Sequence, residues 1–280
     1  MTRHCTFVDV FAERPFAGNP LAVIHDADGL DEAAMLAITR WFDLSETTFL
    51  LQPTVPEADY GVRIFTPIGE LPFAGHPTLG TCRAWLHAGG RPRAAGEVVQ
   101  QCAAGLVTVR VDDDELAFDA PPLVRSGPVD EAVITELADV LRISREAIVD
   151  AAWADNGPGW VALLLASAEA VLALEPARDH ARKVFVGVIG PYASTSGPAY
   201  EVRAFFSDQH GVVREDPVTG SFNASAAQWM LATGRVASPF TAHQGQRLGR
   251  DGRVRIDVDG HGAVWVGGRA RVLVEGDMHL

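Results

Sequence analysis

Three side chains of this sequence can move protons from positions where such chemistry would be useful. Glu46 lies in Leu44-Ser45-Glu46-Thr47-Thr48-Phe49-Leu50, at the start of an otherwise apolar run that predicts a strand over 46–51. A carboxylate there is partly desolvated, which raises its proton affinity toward the range of general acid/base work. His76 ends the segment Glu70-Leu-Pro-Phe-Ala-Gly75-His76, and Asp216 sits inside the loop Glu215-Asp-Pro-Val-Thr-Gly220-Ser221. Taken singly, each has an ordinary structural reading: a turn histidine, an aspartate before a proline, a solvated glutamate. Their placement around a repeated motif favours the functional one.

The repeat is the informative feature. Tyr60-Gly-Val-Arg-Ile-Phe65 leads to Glu70-Leu-Pro-Phe-Ala-Gly75-His76-Pro77, and Tyr200-Glu-Val-Arg-Ala-Phe205 leads to Glu215-Asp-Pro-Val-Thr-Gly220-Ser221-Phe222. Each copy predicts a strand, a Glu-x-Pro-x-x-Gly loop and a helix. Proline suits the first helical position, so Pro77 places His76 at the N-cap, and Ser221 is itself a favoured N-cap residue. Glycines 75 and 220 let the backbone turn and a ligand approach. Unpaired N–H groups and the helix dipole make such ends anion sites. Packing of the halves about a pseudo-twofold axis would set two such ends across a cleft, gripping a small carboxylate. Asn19, in a Gly-Asn-Pro turn, and Ser45 are further candidate substrate contacts.

The elements that position these residues follow from periodicity and turn chemistry. Strands are expected at Thr6–Phe11 and Leu21–Ile24, then a helix capped by Asp31 with Ala34, Ile38 and Trp41 on one face. Further strands are expected at 46–51, 60–66, 97–102, 106–111 and 115–119, with a helix from Pro77 to His87. The Pro-rich break after Asp119 marks a boundary, giving halves 1–120 and 121–280, with the last strands able to cross between them. The second half predicts helices at 130–141, 144–150 and Ser221–Leu231, and strands at 160–165, 184–189, 200–206, 253–258, 263–267 and 270–274. Strand-rich blocks around one long helix per half give an α+β chain of two α/β rolls, not a doubly wound parallel sheet. Asn156-Gly-Pro-Gly159-Trp160 reads as a turn entering a strand.

Composition excludes several classes. The 280 residues are 48% hydrophobic and carry a net charge of −13, which disfavours nucleic acid and anionic membranes as partners. No apolar run approaches the roughly 20 residues of a membrane span, and the start of the chain has no signal-like apolar region, so a cytoplasmic location is expected. Cys5, Cys82 and Cys102 are too scattered for a disulfide framework or a CxxC metal site. His180, His210, His243, His261 and His279 lack metal-ligand spacing and read as surface residues, so no metal is expected. Lys183 is the only lysine, and no phosphate-binding glycine motif occurs, so no cofactor is expected.

The segments V-D-V-F-A-E-R-P-F-A-G-N-P-L-A-V, S-E-T-T-F-L, P-F-A-G-H-P-T-L-G and R-E-D-P-V-T-G-S, in this order, resemble the phenazine-biosynthesis PhzF-like family over nearly the whole chain. The resemblance implies a diaminopimelate-epimerase-like fold: two pseudo-symmetric domains, each a barrel-like sheet around a central helix. It also implies a cofactor-independent isomerase, commonly a homodimer. In the phenazine enzyme a glutamate moves a proton on a dihydro-hydroxyanthranilate. That glutamate corresponds to Glu46, its assisting histidine and aspartate to His76 and Asp216, and its substrate-binding positions to Gly75, Gly220 and Ser221. Related epimerases carry a cysteine at each helix end, whereas this chain has His76 and Ser221, with Cys82 about two turns further on. The stretch Phe222-Asn-Ala-Ser-Ala-Ala-Gln-Trp229 departs from the phenazine enzyme's version and leaves the substrate open. The resulting reading is an isomerase that shifts a proton, and with it a double bond, on a small carboxylate-bearing metabolite. The alternative is a carboxylate-binding protein that lost turnover.

Overall fold

The computed structural model describes residues 2–194, 196–208 and 210–280. Among these the strands are β1 (Thr2–Val10), β2 (Asn19–Ile24), β3 (Thr47–Leu51), β4 (Tyr60–Phe65), β5 (Glu70–Leu71), β6 (Glu97–Cys102), β7 (Gly105–Asp112), β8 (Glu115–Asp119), β9 (Arg125–Pro128), β10 (Ile148–Asp155), β11 (Val161–Leu165), β12 (Phe185–Pro191), β13 (Tyr200–Ser207), β14 (Val213–Asp216), β15 (Phe240–Gln244), β16 (Gly252–Val258) and β17 (Val264–His279). The α-helices are α1 (Glu32–Phe42), α2 (Gly75–His87), α3 (Glu131–Leu141), α4 (Ala168–Leu172) and α5 (Gly220–Ala232). The chain forms two compact units: residues up to Asp119 together with Gly267–Leu280, and Ala120–Val266.

In the first unit the strands pair in a closed ring, β1-β2-β3-β4-β6-β7-β8-β17 and back to β1. Closure removes free edges from the sheet. Helix α2 touches β1, β2, β3, β6, β7 and β8, so it runs inside the ring. Its sequence explains that position: Pro77, Thr78, Leu79, Gly80, Thr81, Cys82 and Ala84 are small or apolar, and all are buried. A helix without a polar face belongs in a core. The Thr81 hydroxyl satisfies itself there by donating to Thr48 Oγ1 at 2.8 Å.

The second unit repeats the plan. In the first, β2 pairs parallel with β3 and β4 parallel with β6, while β5 folds back on β4. In the second, β11 pairs parallel with β12 and β13 parallel with β15, while β14 folds back on β13. The equivalent helix, α5, packs on β10 and β16. It also meets β12, because Gly187 leaves room for an aromatic ring: a Cβ there would lie 1.9 Å from Phe222.

Several sequence expectations need correction. Asp31 does cap α1, its carboxylate accepting from the Ala34 N–H at 2.8 Å. The buried stripe, however, is Met35, Ile38 and Thr39, and Trp41 is 81% exposed. Residues 144–150 form one 3-10 turn, Arg145–Ala147, and then enter β10, where β-branched Ile148 and Val149 favour the strand. The two short closing strands are one long strand, β17. Asp216 ends strand β14, paired with Ala204, and so is not a loop residue. His243 is buried, not superficial: its ring lies 3.1 Å from Glu201 and 2.9 Å from Asp251.

Candidate active site

In the first unit the structure brings Asn19, Glu46 and His76 together. Asn19 opens β2, Glu46 immediately precedes β3, and His76 is the second residue of α2. The N-cap is Ala74, not His76, and its backbone is extended with no side-chain cap. Gly75 and His76 therefore present N–H groups that no carbonyl within the helix can accept. Nε2 of His76 lies 3.5 Å from Oε2 of Glu46, with the imidazole 4% and the carboxylate side chain 16% exposed. Asn19 Nδ2 lies 3.4 Å from His76 Nδ1. An amide nitrogen only donates, so Nδ1 accepts and the ring proton sits on Nε2, toward Glu46. Burial pushes the His76 pKa down to about 3, so the ring is neutral at physiological pH. Ser45 is half-buried between α1 and β3.

Sequence reasoning missed how Asn19 is placed. The buried Asp9 carboxylate accepts from the Ala17 N–H at 3.0 Å and the Gly18 N–H at 2.9 Å, folding the turn that leads into β2. Gly18 is required, because a Cβ would sit 2.0 Å from the Val10 carbonyl oxygen. An aspartate in an apolar strand, V-D-V, was the available signal.

In the second unit Asp216, Gly220 and Ser221 gather at the start of α5. The N-cap is Thr219, and Ser221 is the second helical residue. Thr219 does not cap through its side chain; its hydroxyl donates to Asp216 Oδ2 at 2.6 Å. Ser221 Oγ accepts from Trp160 Nε1 at 3.1 Å, and Asn156 Nδ2 donates to the Ser221 carbonyl at 2.9 Å. The turn 156–160 thus orients a candidate binding residue, which its Gly-Pro-Gly pattern alone did not reveal. With Trp160 occupying a lone pair, the Ser221 hydroxyl proton can point elsewhere.

The motif glutamates have a structural task. Arg63 donates to Glu70 through Nε at 2.8 Å and Nη2 at 2.5 Å. Arg203 does the same to Glu215, at 3.0 and 2.7 Å. In both copies the glutamate faces the strand's phenylalanine, Phe65 or Phe205, in the hairpin register. These pairs hold the hairpin from which the helix start is delivered.

No cysteine stands at either helix start: Cys82 is the eighth residue of α2, Cys5 lies on β1 and Cys102 ends β6. Cys82 is buried and its thiol is pushed up to about 12 by desolvation, and Cys5 is pushed up to about 11. Such thiols do not ionise near neutrality.

Comparison with known proteins identifies the family. The family described as phenazine biosynthesis-like protein (PhzC-PhzF) matches residues 8–276. A trans-2,3-dihydro-3-hydroxyanthranilate isomerase of Pseudomonas fluorescens is 32% identical, over 95% of this chain and 98% of its own. Antisense-enhancing sequence 1 of Schizosaccharomyces pombe is 34% identical over 99% of each chain. Among solved structures, one described as a predicted epimerase of Pseudomonas aeruginosa superposes with a TM-score of 0.81 at 30% identity, covering 99% of both chains. A hydroxyproline epimerase of Agrobacterium vitis, at 15% identity, shares the fold with a TM-score of 0.60 over 99% of this chain and 92% of its own. The α+β, diaminopimelate-epimerase-like architecture expected from the resemblance is the one observed. The chain belongs to the phenazine biosynthesis-like (PhzF) family, and it is an isomerase.

Proposed function

We propose that this isomerase shifts a proton, and with it a double bond, on a small carboxylate-bearing metabolite, with Glu46 as the group that takes and returns the proton. The observation that carries this reading is the Glu46–His76 pair: a largely buried carboxylate 3.5 Å from a buried neutral imidazole whose proton points toward it. A contraction of about half an ångström makes this a hydrogen bond, and catalytic contacts of this kind tighten in the substrate complex. His76 then steadies the carboxylate without carrying charge. Asp216, just before the start of α5, is the second acid/base group of this reading, and Gly75, Gly220 and Ser221, each at the start of its helix, are its substrate-binding positions. Asn19 fixes the His76 tautomer, and Ser45 contributes a hydroxyl contact.

The substrate class is proposed from the relatives named as trans-2,3-dihydro-3-hydroxyanthranilate isomerases, which makes that compound the first to test. Incubation with it in deuterium oxide should yield an isomerised product carrying solvent deuterium at the protonated carbon. Solvent exchange without isomerisation would point to a different product, and full activity in Glu46→Gln would remove Glu46 from the role.

A further inference from the structure

Gln244 is fully buried at the end of β15, and each hydrogen-bonding position of its amide is used. Its Oε1 accepts from the Thr219 backbone N–H at 3.0 Å and from Asn223 Nδ2 at 2.8 Å. Its Nε2 donates to the Asp216 carbonyl oxygen and to Thr219 Oγ1, both at 3.0 Å. The amide therefore has one possible orientation, since exchanging its ends would face donors with donors. With a Thr219 lone pair occupied by Gln244, the single proton of that hydroxyl is directed to Asp216 Oδ2, 2.6 Å away. That is the length of a hydrogen bond assisted by a carboxylate charge. Thr219, Asn223, Gln244 and Asp216 are all less than a tenth exposed, so water competes little for these bonds.

We infer that Gln244 is a positioning residue which, through Thr219, holds the Asp216 carboxylate in its ionised form and in one orientation. The first unit shows what is specific to this arrangement. There Gln100, on the equivalent β6, accepts from the Tyr60 hydroxyl and donates to Thr78 at 3.0 Å, three residues after the helix glycine as Asn223 is. At the position of Asp216, however, it has Leu71, paired with Ile64. Gln100 faces Tyr60 whereas Gln244 faces Val202, two positions further along its strand, and of these two amides it is Gln244 that bonds the hairpin carrying the carboxylate.

The inference deepens the proposed role of Asp216, and its test separates the two. Carboxyl carbon-13 titration by NMR, with the Asp216 signal assigned by its loss in Asp216→Asn, compares the intact protein with Thr219→Val, Thr219→Ser and Gln244→Leu. Thr219→Val keeps the shape of the side chain and removes the hydroxyl, which donates to Asp216 and accepts from Gln244. It should raise the Asp216 midpoint by about half a unit or more, a roughly threefold gain in proton affinity, and Thr219→Ser should restore it. Gln244→Leu should move it in the same direction, and it carries the test if Thr219→Val does not fold. With trans-2,3-dihydro-3-hydroxyanthranilate as probe, the acid limb of the kcat profile should move by the same amount. An unchanged Asp216 midpoint in the folded variants overturns the inference. A shifted midpoint with full turnover by Asp216→Asn would overturn the catalytic reading of Asp216 and leave the inference standing.

Discussion

Arg203 forks onto Glu215 across the β13–β14 hairpin, with Nε 3.0 Å from Oε1 and Nη2 2.7 Å from Oε2, in the register that Arg63 and Glu70 share across β4 and β5. The two pairs differ in burial: the Arg203 and Glu215 side chains are 5% and 10% exposed, those of Arg63 and Glu70 28% each. Arg203 also donates to the carbonyls of Val171 and Leu174. Removing one partner of a buried pair strands a charge, at a cost of about 3–5 kcal/mol, whereas a more exposed pair contributes roughly 1 kcal/mol or less. Glu215→Ala should therefore lower the urea midpoint far more than Glu70→Ala. Equal losses would mean that the buried guanidinium finds other partners.

Glu46→Gln keeps the shape and most of the packing of the side chain while removing its ability to accept a proton. Turnover should fall by about two to four orders of magnitude, the contribution of a positioned acid/base group. Substrate affinity should change little. The check is steady-state kinetics with deuterium incorporation.

Acid should destabilise this fold through its buried histidines. Burial lowers the His76 pKa from 6.5 to about 3, and burial with the nearby His4 lowers that of His25 to about 4. Between those values and 6.5 the unfolded chain binds protons that the folded chain refuses. The stability is complete above 6.5 and is lost as pH falls toward the folded values. At pH 4.5 each histidine accounts for about 2.5 kcal/mol of that loss. Urea unfolding at pH 7.5 and 4.5 should show it, and His25→Gln should shrink the difference by a similar amount.

Gly187→Ala should destabilise the second unit, because the new methyl would meet the Phe222 ring at 1.9 Å. Overpacking of this kind costs about 1–3 kcal/mol. Phe222→Leu in the same chain should recover part of the loss, a coupling that a double-mutant cycle measures.

Alkylating reagents should leave turnover intact. Cys82 and Cys5 are buried and remain thiols at neutral pH, and neither helix start carries a cysteine. Loss of turnover in step with modification of Cys82 would implicate a thiol after all.

The Tyr-x-Val-Arg-x-Phe and Glu-x-Pro-x-x-Gly segments made the duplication legible, because they encode a hairpin and a helix start within sixteen and twenty-one residues. Their arginine–glutamate pairing was not legible: both residues are usually solvated, and only the register brings them face to face. The caps were misread for a related reason. Residue preference pointed to His76 and Ser221, but preference is a weak prior, and the strand hairpin sets where each helix begins, at Gly75 and Gly220. Residues 144–150 failed as a helix because Ile148 and Val149 belong to a sheet whose pairing is non-local. Trp160 and Gln244 lay outside the motifs and act on neighbours distant in the chain, while Asp9 and Thr219 lay within them at positions whose partners the pattern does not show.

Strand β17 has a consequence for how the protein is made. It supplies the wall that joins β1 to β8, yet it is synthesised after every other element. On the ribosome the first barrel therefore waits, with two strands lacking their neighbour, while the entire second unit emerges. During that interval those strands can recruit one another's copies between nascent chains. A holding chaperone, or slow folding until residues 264–279 leave the exit tunnel, would protect it.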